Sequence, residues 1–270
     1  MDIIELEKLA KKSRMQILDL AFRSDGPSHL GGGLSMVEIF VVLYFKILNY
    51  DVKNPEWENR DRFILSKGHG VLPFFIALHN SGFISLEELY TYKKDGSHLI
   101  SHPVMNMRLG MESSNGSLGH GLSMAVGIAI SLKQKNNYSS RVFVVLGDGE
   151  CNEGSVWEAA MSAAHFNLNN IVAVVDYNKL QSDGESSLIM NIGNFKDKWV
   201  SFGWDTISID GHDIDALVTT MTFRSSQSKP LVIIANTTKG KGVSFMENNN
   251  VWHHNRLTQT TFDQAILELK

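Results

Sequence analysis

The chain has 270 residues, a formal net charge of −4 and 43% hydrophobic residues, which allows a sizeable core and leaves no basic run suited to nucleic acid. A single cysteine excludes an internal disulfide, leaves Cys151 without a partner for a thiolate metal site, and fits a reducing, cytoplasmic setting. The charged, amphipathic N-terminus does not read as a signal peptide, and the most apolar run, 39–48, contains Lys46 and is too short to span a bilayer.

Helical spacing runs from about Ile4 to Phe22. "DGPSHLGGGLS" (25–35) then breaks it, with five glycines and prolines in eleven residues. Ser35 followed by Glu38 predicts a capping box that opens a helix to about Leu48. "DRFILSKGHG" (61–70) reads as a short strand entering a Gly-His turn. Ser85 and Glu88 predict a second capping box. Residues 95–118, rich in Gly, Ser, Asn and His, read as irregular. From Gly119 a helix follows, with small residues that allow close packing. Alternating units come next: strand 142–146, helix 154–166, strand 171–176, a helix near 194–202, strand 204–209, helix 213–224 and strand 231–236. Strands that are apolar throughout and alternate with helices predict an α/β fold, a parallel sheet covered by helices on both faces. No repeat or linker interrupts the pattern, so residues 1–270 read as a single domain.

In "RVFVVLGDGECNEG" (141–154) a buried strand ends in two glycines and three carboxylates. Ligands of such sheets bind at the carboxyl ends of strands. Gly147-Asp148-Gly149 lies at one such end, and Asn178 lies just past the next strand. An Asp oxygen, an Asn oxygen and a backbone carbonyl are hard ligands, suited to Mg²⁺ or Ca²⁺ shared with a phosphate-bearing ligand. Gly149 would let a diphosphate approach the backbone near the start of a helix. "GDG" by itself reads as an ordinary strand-to-helix turn. With Asn about thirty residues on, across one helix and one strand, the metal reading takes over. From spacing alone, a nucleotide with Mg²⁺ fits as well as any other diphosphate.

The string "GDGECNEGSVWEAAMSAAHFNLNNIVAVVDYNKLQSDG" resembles the thiamine diphosphate motif in its transketolase form. The resemblance runs from about residue 14 to 257. It includes "PSHLGGGLS", "DRFILSKGHG", "SHP", "GSLGHGLSMAVG", "TTKGKGVSFME" and "VWHH" in order. It implies that Asp148, Asn178 and the carbonyl of Leu180 bind the metal, Mg²⁺ with Ca²⁺ or Mn²⁺ as alternatives. It places Gly149 and Glu150 along the diphosphate of thiamine diphosphate. It sets Gly116 and Leu118, with Ser117 between them, beside the thiazolium ring. Two departures stand on the substrate side: His120 replaces the usual Gln after Gly-x-Leu-Gly, and "PSHLGGG" differs from the His-Pro-Gly pattern of long transketolases.

Of ten histidines, His79, His98, His165 and His212 sit in helix or surface contexts and read as structural. His29, His69, His102 and His253 each lie in or beside a Gly-, Ser- or Pro-rich turn, where a histidine without further signal is an ordinary surface residue. The resemblance implies that His69 and His253 flank the cofactor diphosphate and that His29 and His102 face the sugar. The family breaks a carbon–carbon bond beside a ketone and moves a two-carbon ketol unit. The ketol hydroxyl must be held and a proton must leave the donor's hydroxyl, which neutral imidazole can do near neutral pH. His29, His102 and His253 are therefore the expected catalytic imidazoles, with His254 adjoining His253 as an alternative register.

Acids at a helix start favour the macrodipole, which alone explains one of Glu150, Glu153 and Glu158. The resemblance adds that Glu153 matches a subunit-interface position in a relay of carboxylates between active sites, with Glu158 a weaker case. Everything recognised belongs to the diphosphate half of such enzymes. The pyrimidine-binding half, which carries a further Glu, is expected on a separate chain, a C-terminal transketolase subunit, in a heterotetramer acting on sugar phosphates. The rivals are an α-subunit of a 2-oxo acid dehydrogenase, a deoxyxylulose-phosphate-synthase-like enzyme and a catalytically idle binding or regulatory subunit. "SHLGGG", "SKGHG" and the string 147–154 argue against the first; the intact Asp148, Asn178 and loop histidines argue against the last.

Overall fold

The computed structural model describes residues 1–24, 26–223 and 228–270. The chain opens with helices α1 (Ile3–Arg23), α2 (Leu30–Leu34) and α3 (Val37–Val42), followed by strand β1 (Arg62–Leu65), α4 (Val71–Ser81), α5 (Leu86–Leu89) and α6 (Gly121–Gln134). It continues with β2 (Val142–Gly147), α7 (Gly154–His165), β3 (Ile171–Tyr177), α8 (Ser186–Ile189), α9 (Phe195–Ser201), β4 (Asp205–Asp210), α10 (Ile214–Thr222), β5 (Leu231–Asn236) and α11 (Gln259–Glu268). The strands pair in parallel in the order β1-β2-β3-β5-β4. This is the expected α/β architecture.

Strand periodicity of two divides the core between two layers. Phe143 and Val145 of β2, with Val172 and Val174 of β3, face the layer that includes α1, α3, α4 and α10. Val142, Val144 and Leu146, with Ile171, Ala173 and Val175, face α6, α7 and α9. Every residue of β2 is buried, so neither face could be polar, and each such side chain stabilises the fold by about 1.5–3 kcal/mol. The outer strand β4 is only partly covered, and polar residues alternate along it accordingly.

The capping box at Ser35 does not form. "LGGGL" is itself helical as α2, and Ser35 closes that helix while its hydroxyl donates to Gly32 O (3.0 Å) and to Asp176 (2.7 Å). Glu38 is buried, so it takes side-chain partners instead of a cap: the Arg14 guanidinium at 2.6 Å and the His212 imidazole at 3.0 Å. The expected helix to Leu48 divides into α3 and a π-helical turn, Leu43–Ile47. At Ser85 only half the box is present: its hydroxyl accepts from Glu88 N (3.1 Å), while the Glu88 carboxylate pairs with Arg108. Helices α4 and α11 were not expected. Val71 to Leu78 of α4 are all buried, so no polar face marks the helical period. Within 95–118 a short 3₁₀ turn covers Met107–Leu109. The expected helix end at 224 and the first residue of the 25–35 break lie outside the described residues.

Candidate active site

Four neighbouring strands end on one side of the sheet, and the loops that leave them line a single cavity of about 350 Å³. Lys67 and His69 come after β1, Asp148 and Gly149 after β2, Asn178, Leu180 and Gln181 after β3, and Lys239 after β5. The pairing of Gly147 with Asp176 across β2 and β3 sets the level of the Asp148 and Asn178 turns. The strand-end crevice expected from the spacing is therefore present.

Its floor is tied together by Glu150, which is 2% exposed. One carboxylate oxygen accepts from Ser66 Oγ and from Gly119 N (2.9 Å), the other from Gly147 N (3.0 Å). Burial pushes its pKa up, against the pull of these hydrogen bonds. Glu150 lines the cavity, yet both of its oxygens serve the protein's own loops. Gly121 is required here because a Cβ would lie 2.4 Å from the Ser66 side chain.

Asp148, Asn178 and Leu180, the residues expected to hold a metal, all line this cavity. Asp148 is 5% and Asn178 4% exposed. The Asp148 carboxylate accepts from Ser186 Oγ (2.8 Å), and burial raises its pKa. Asn178 donates its amide to Asp176 (2.9 Å) and accepts from Leu180 N (3.1 Å). The Leu180 carbonyl accepts from Lys239 Nζ at 3.2 Å.

Lys67, Asp176, Gln181 and Lys239 are site residues that the sequence reading passed over. Lys67 pairs with Asp176 at 2.5 Å in full burial. Lys239 donates to Gln181 O (2.8 Å) and Asn250 Oδ1 (3.3 Å), and burial, then the charge of Lys67, brings its pKa down to about 8. Gln181 lies over Gly149, where a Cβ would come within 2.6 Å of its side chain. For Asp176 a signal was present: a charged residue inside an apolar run, "IVAVVDY", must find a partner when buried.

The four loop histidines form one cluster. The ring of His29 lies 5.3 Å from that of His69, 5.9 Å from His102 and 5.4 Å from His253. All four line the cavity. Burial, then the neighbouring imidazoles, pushes His29 down to about 3. Burial, then Lys239, pushes His253 down to about 4. Burial also lowers His69 and His102. The cluster is neutral at physiological pH and offers acceptors. Gly116, Leu118 and the exposed Glu153 reach the cavity as well, whereas Ser117 is exposed and His120, at the N-cap position of α6, is not among its lining residues.

This donor set fits a hard cation beside a diphosphate: a carboxylate, an amide oxygen and a main-chain carbonyl near two ammonium groups. Two buried polar atoms among the lining residues, Gln181 Nε2 and His253 Nδ1, have no protein partner among the described residues.

The family model described as "Transketolase, thiamine diphosphate binding domain" matches residues 6–267. The chain is 38% identical to one subunit of the apulose-4-phosphate transketolase of Phocaeicola vulgatus, over all of this chain and 95% of that one. It is 41% identical to the 6-deoxy-6-sulfo-D-fructose transketolase subunit SqwG of a Clostridium species, over 91% of this chain and 89% of that one. The crystal structure of Campylobacter jejuni transketolase superposes with a TM-score of 0.92 at 28% identity, covering all of this chain but 43% of that one.

Proposed function

The chain belongs to the thiamine diphosphate-dependent transketolase family, and on that premise we propose that it is the N-terminal, diphosphate-binding subunit of a two-component transketolase. It is a transferase subunit that binds thiamine diphosphate and moves a two-carbon ketol unit from a ketose phosphate to an aldose phosphate together with a partner. One observation carries the reading: a single cavity is lined by hard oxygen ligands, two ammonium groups and a cluster of four imidazoles.

Asp148, Asn178 and the Leu180 carbonyl would hold Mg²⁺, with Ca²⁺ or Mn²⁺ as alternative occupants. Gly149, Lys67, Lys239, His69 and His253 would receive the diphosphate. Gly116 and Leu118 would flank the thiazolium ring. Bound thiamine diphosphate supplies the carbon that receives the two-carbon unit. The chain's own residues do the rest. His29 and His102 face the sugar, hold its hydroxyls and, as neutral imidazoles, accept the proton that leaves the donor hydroxyl as the carbon–carbon bond breaks. His253 stands between these groups and the phosphate side. The low dielectric that keeps them neutral also strengthens each hydrogen bond they make.

Residues 1–270 form the diphosphate-type domain, and the pyrimidine-binding domain comes from a separate C-terminal subunit. Two relatives that are named as transketolase subunits support this, since the chain covers about nine-tenths or more of each. Apolar exposure supports it too. Ile100, Val104 and Met105 flank His102, Leu188, Ile189 and Met190 come after Ser186, and Val251 precedes His253, all exposed. Such a concentration on the loops of the site marks a surface that another chain covers. Glu153, exposed at the start of α7, would join a carboxylate relay across that interface. Two copies of each subunit make a heterotetramer. Among the described residues no helix is long and apolar enough to cross a membrane; with the single buried Cys151, a cytoplasmic setting is proposed.

The test is ketol transfer from a ketose phosphate to an aldose phosphate with thiamine diphosphate and Mg²⁺. It is run on this chain alone, and on this chain with a C-terminal transketolase subunit from the same organism. Turnover only in the mixture supports the assignment; robust turnover by the purified chain overturns the two-component reading.

A further inference from the structure

Asp176 sits inside the otherwise apolar strand "IVAVVDY" and is 0% exposed. A carboxylate taken out of water there costs several kcal/mol unless donors surround it. Four do, and each comes from a different part of the chain. Ser35 Oγ (2.7 Å), Lys67 Nζ (2.5 Å) and Asn178 Nδ2 (2.9 Å) all reach Oδ2, and Thr237 Oγ1 reaches Oδ1. A buried ion pair is weak as a stabilising device, since apolar side chains of the same shape do as well. What distinguishes this one is where its donors lead. Asn178 lies on the metal side of the cavity, and Lys67 lines its wall.

An ionised carboxylate only accepts, so the group of Asn178 that faces it must be the NH₂. The amide oxygen is then turned away from Asp176, and it lies by Leu180 N at 3.1 Å with lone-pair capacity to spare. A lysine ammonium has three donors, one of which Asp176 takes. The others are free to face the cavity from a fixed point.

We infer that Asp176 is a positioning residue: one buried carboxylate turns the Asn178 amide oxygen toward the cation and anchors the Lys67 ammonium on the phosphate side. The inference rests on the reading of Asn178 as a metal ligand. It makes the cation and phosphate halves of the site parts of a single hydrogen-bonded unit, so that disturbing Asp176 is felt in both.

The experiment measures Mn²⁺ binding by electron paramagnetic resonance, in the presence of thiamine diphosphate, on the full chain with its partner subunit. Thermal melting of each protein accompanies it. Asp176→Asn keeps the shape but lets the amide of Asn178 turn over, and Mn²⁺ affinity should fall by about 10–100-fold. The exchange Asp176→Asn with Asn178→Asp restores one amide-to-carboxylate hydrogen bond with donor and acceptor reversed, and should bind Mn²⁺ more tightly than Asp176→Asn. Wild-type affinity in Asp176→Asn, or a double variant that loses the sum of the two single effects, overturns the proposal. Should Asp176→Asn fail to fold, Asn178→Asp decides by itself. Two facing carboxylates should weaken Mn²⁺ binding, and a tighter site, as expected from added charge alone, overturns the proposal. Asn178→Ala separates the two levels. Wild-type Mn²⁺ affinity in that variant removes the ligand reading and the inference with it; its loss beside an unaffected Asp176→Asn removes only the inference.

Discussion

His254 packs its ring 4.3 Å from that of His29 with the planes 33° apart, whereas His253 meets the same ring at 5.4 Å and 90°. The two adjacent histidines therefore have different places. His253 lines the cavity with its Nδ1 buried, and His254 is exposed. His253 lines the cavity, and His254 covers His29.

That covering makes the acid limb of stability testable. The folded chain holds His29 near a pKa of about 3, while an unfolded imidazole titrates near 6.5. Between these values the unfolded state binds more protons, so stability falls as pH drops below about 6.5. His29→Asn should flatten the fall of Tm between roughly pH 6.5 and 4.5, a window set by the ordinary imidazole value. Melting curves of the purified chain across that range check this, and an unchanged acid limb counts against a neutral His29.

The metal assignment predicts that Asp148→Ala abolishes thiamine diphosphate binding in Mg²⁺. The loss should exceed the roughly 10–100-fold caused by removing a group that only orients a metal ligand. Calorimetric titration of the variant with its partner subunit measures it. Wild-type affinity would remove Asp148 from the metal site.

The histidines should separate by kinetics. His69→Ala should weaken cofactor binding. His102→Ala should leave cofactor affinity nearly intact and raise the donor KM or lower kcat. Equal losses of cofactor affinity in both variants would show that one of the two is misplaced.

Two glycines of α6 should respond with opposite signs. A Cβ at Gly121 would lie 2.7 Å from the Ser66 backbone, whereas one at Gly127 meets nothing within 4 Å. Gly121→Ala should destabilise the chain by about 1–3 kcal/mol. Gly127→Ala, at an exposed helical position, should stabilise it by about 0.5–1 kcal/mol. Urea unfolding midpoints of the purified variants check both directions.

Much of the fold was legible before any coordinates, because the information lay in local pattern. Apolar runs such as 142–146 and 171–176, each leading into a helical segment, require a parallel sheet covered on both faces, and they place the residues after Gly147 at a strand's carboxyl end. The interval from Asp148 to Asn178 is then one helix and one strand, a spacing that needs only strand adjacency to become a site. Local pattern failed where side chains had distant partners. Ser35 and Glu38 spell a helix cap, but Asp176, 141 residues from Ser35, and His212, 174 residues from Glu38, claim them instead. Lys67 and Asp176 are separated by 109 residues, and nothing in either segment names the other. Strand order brings them together, and burial then leaves each charge no alternative partner of comparable energy. The difference between His253 and His254 is of the same kind: which of the two adjacent rings lines the cavity is invisible in composition and is decided by packing.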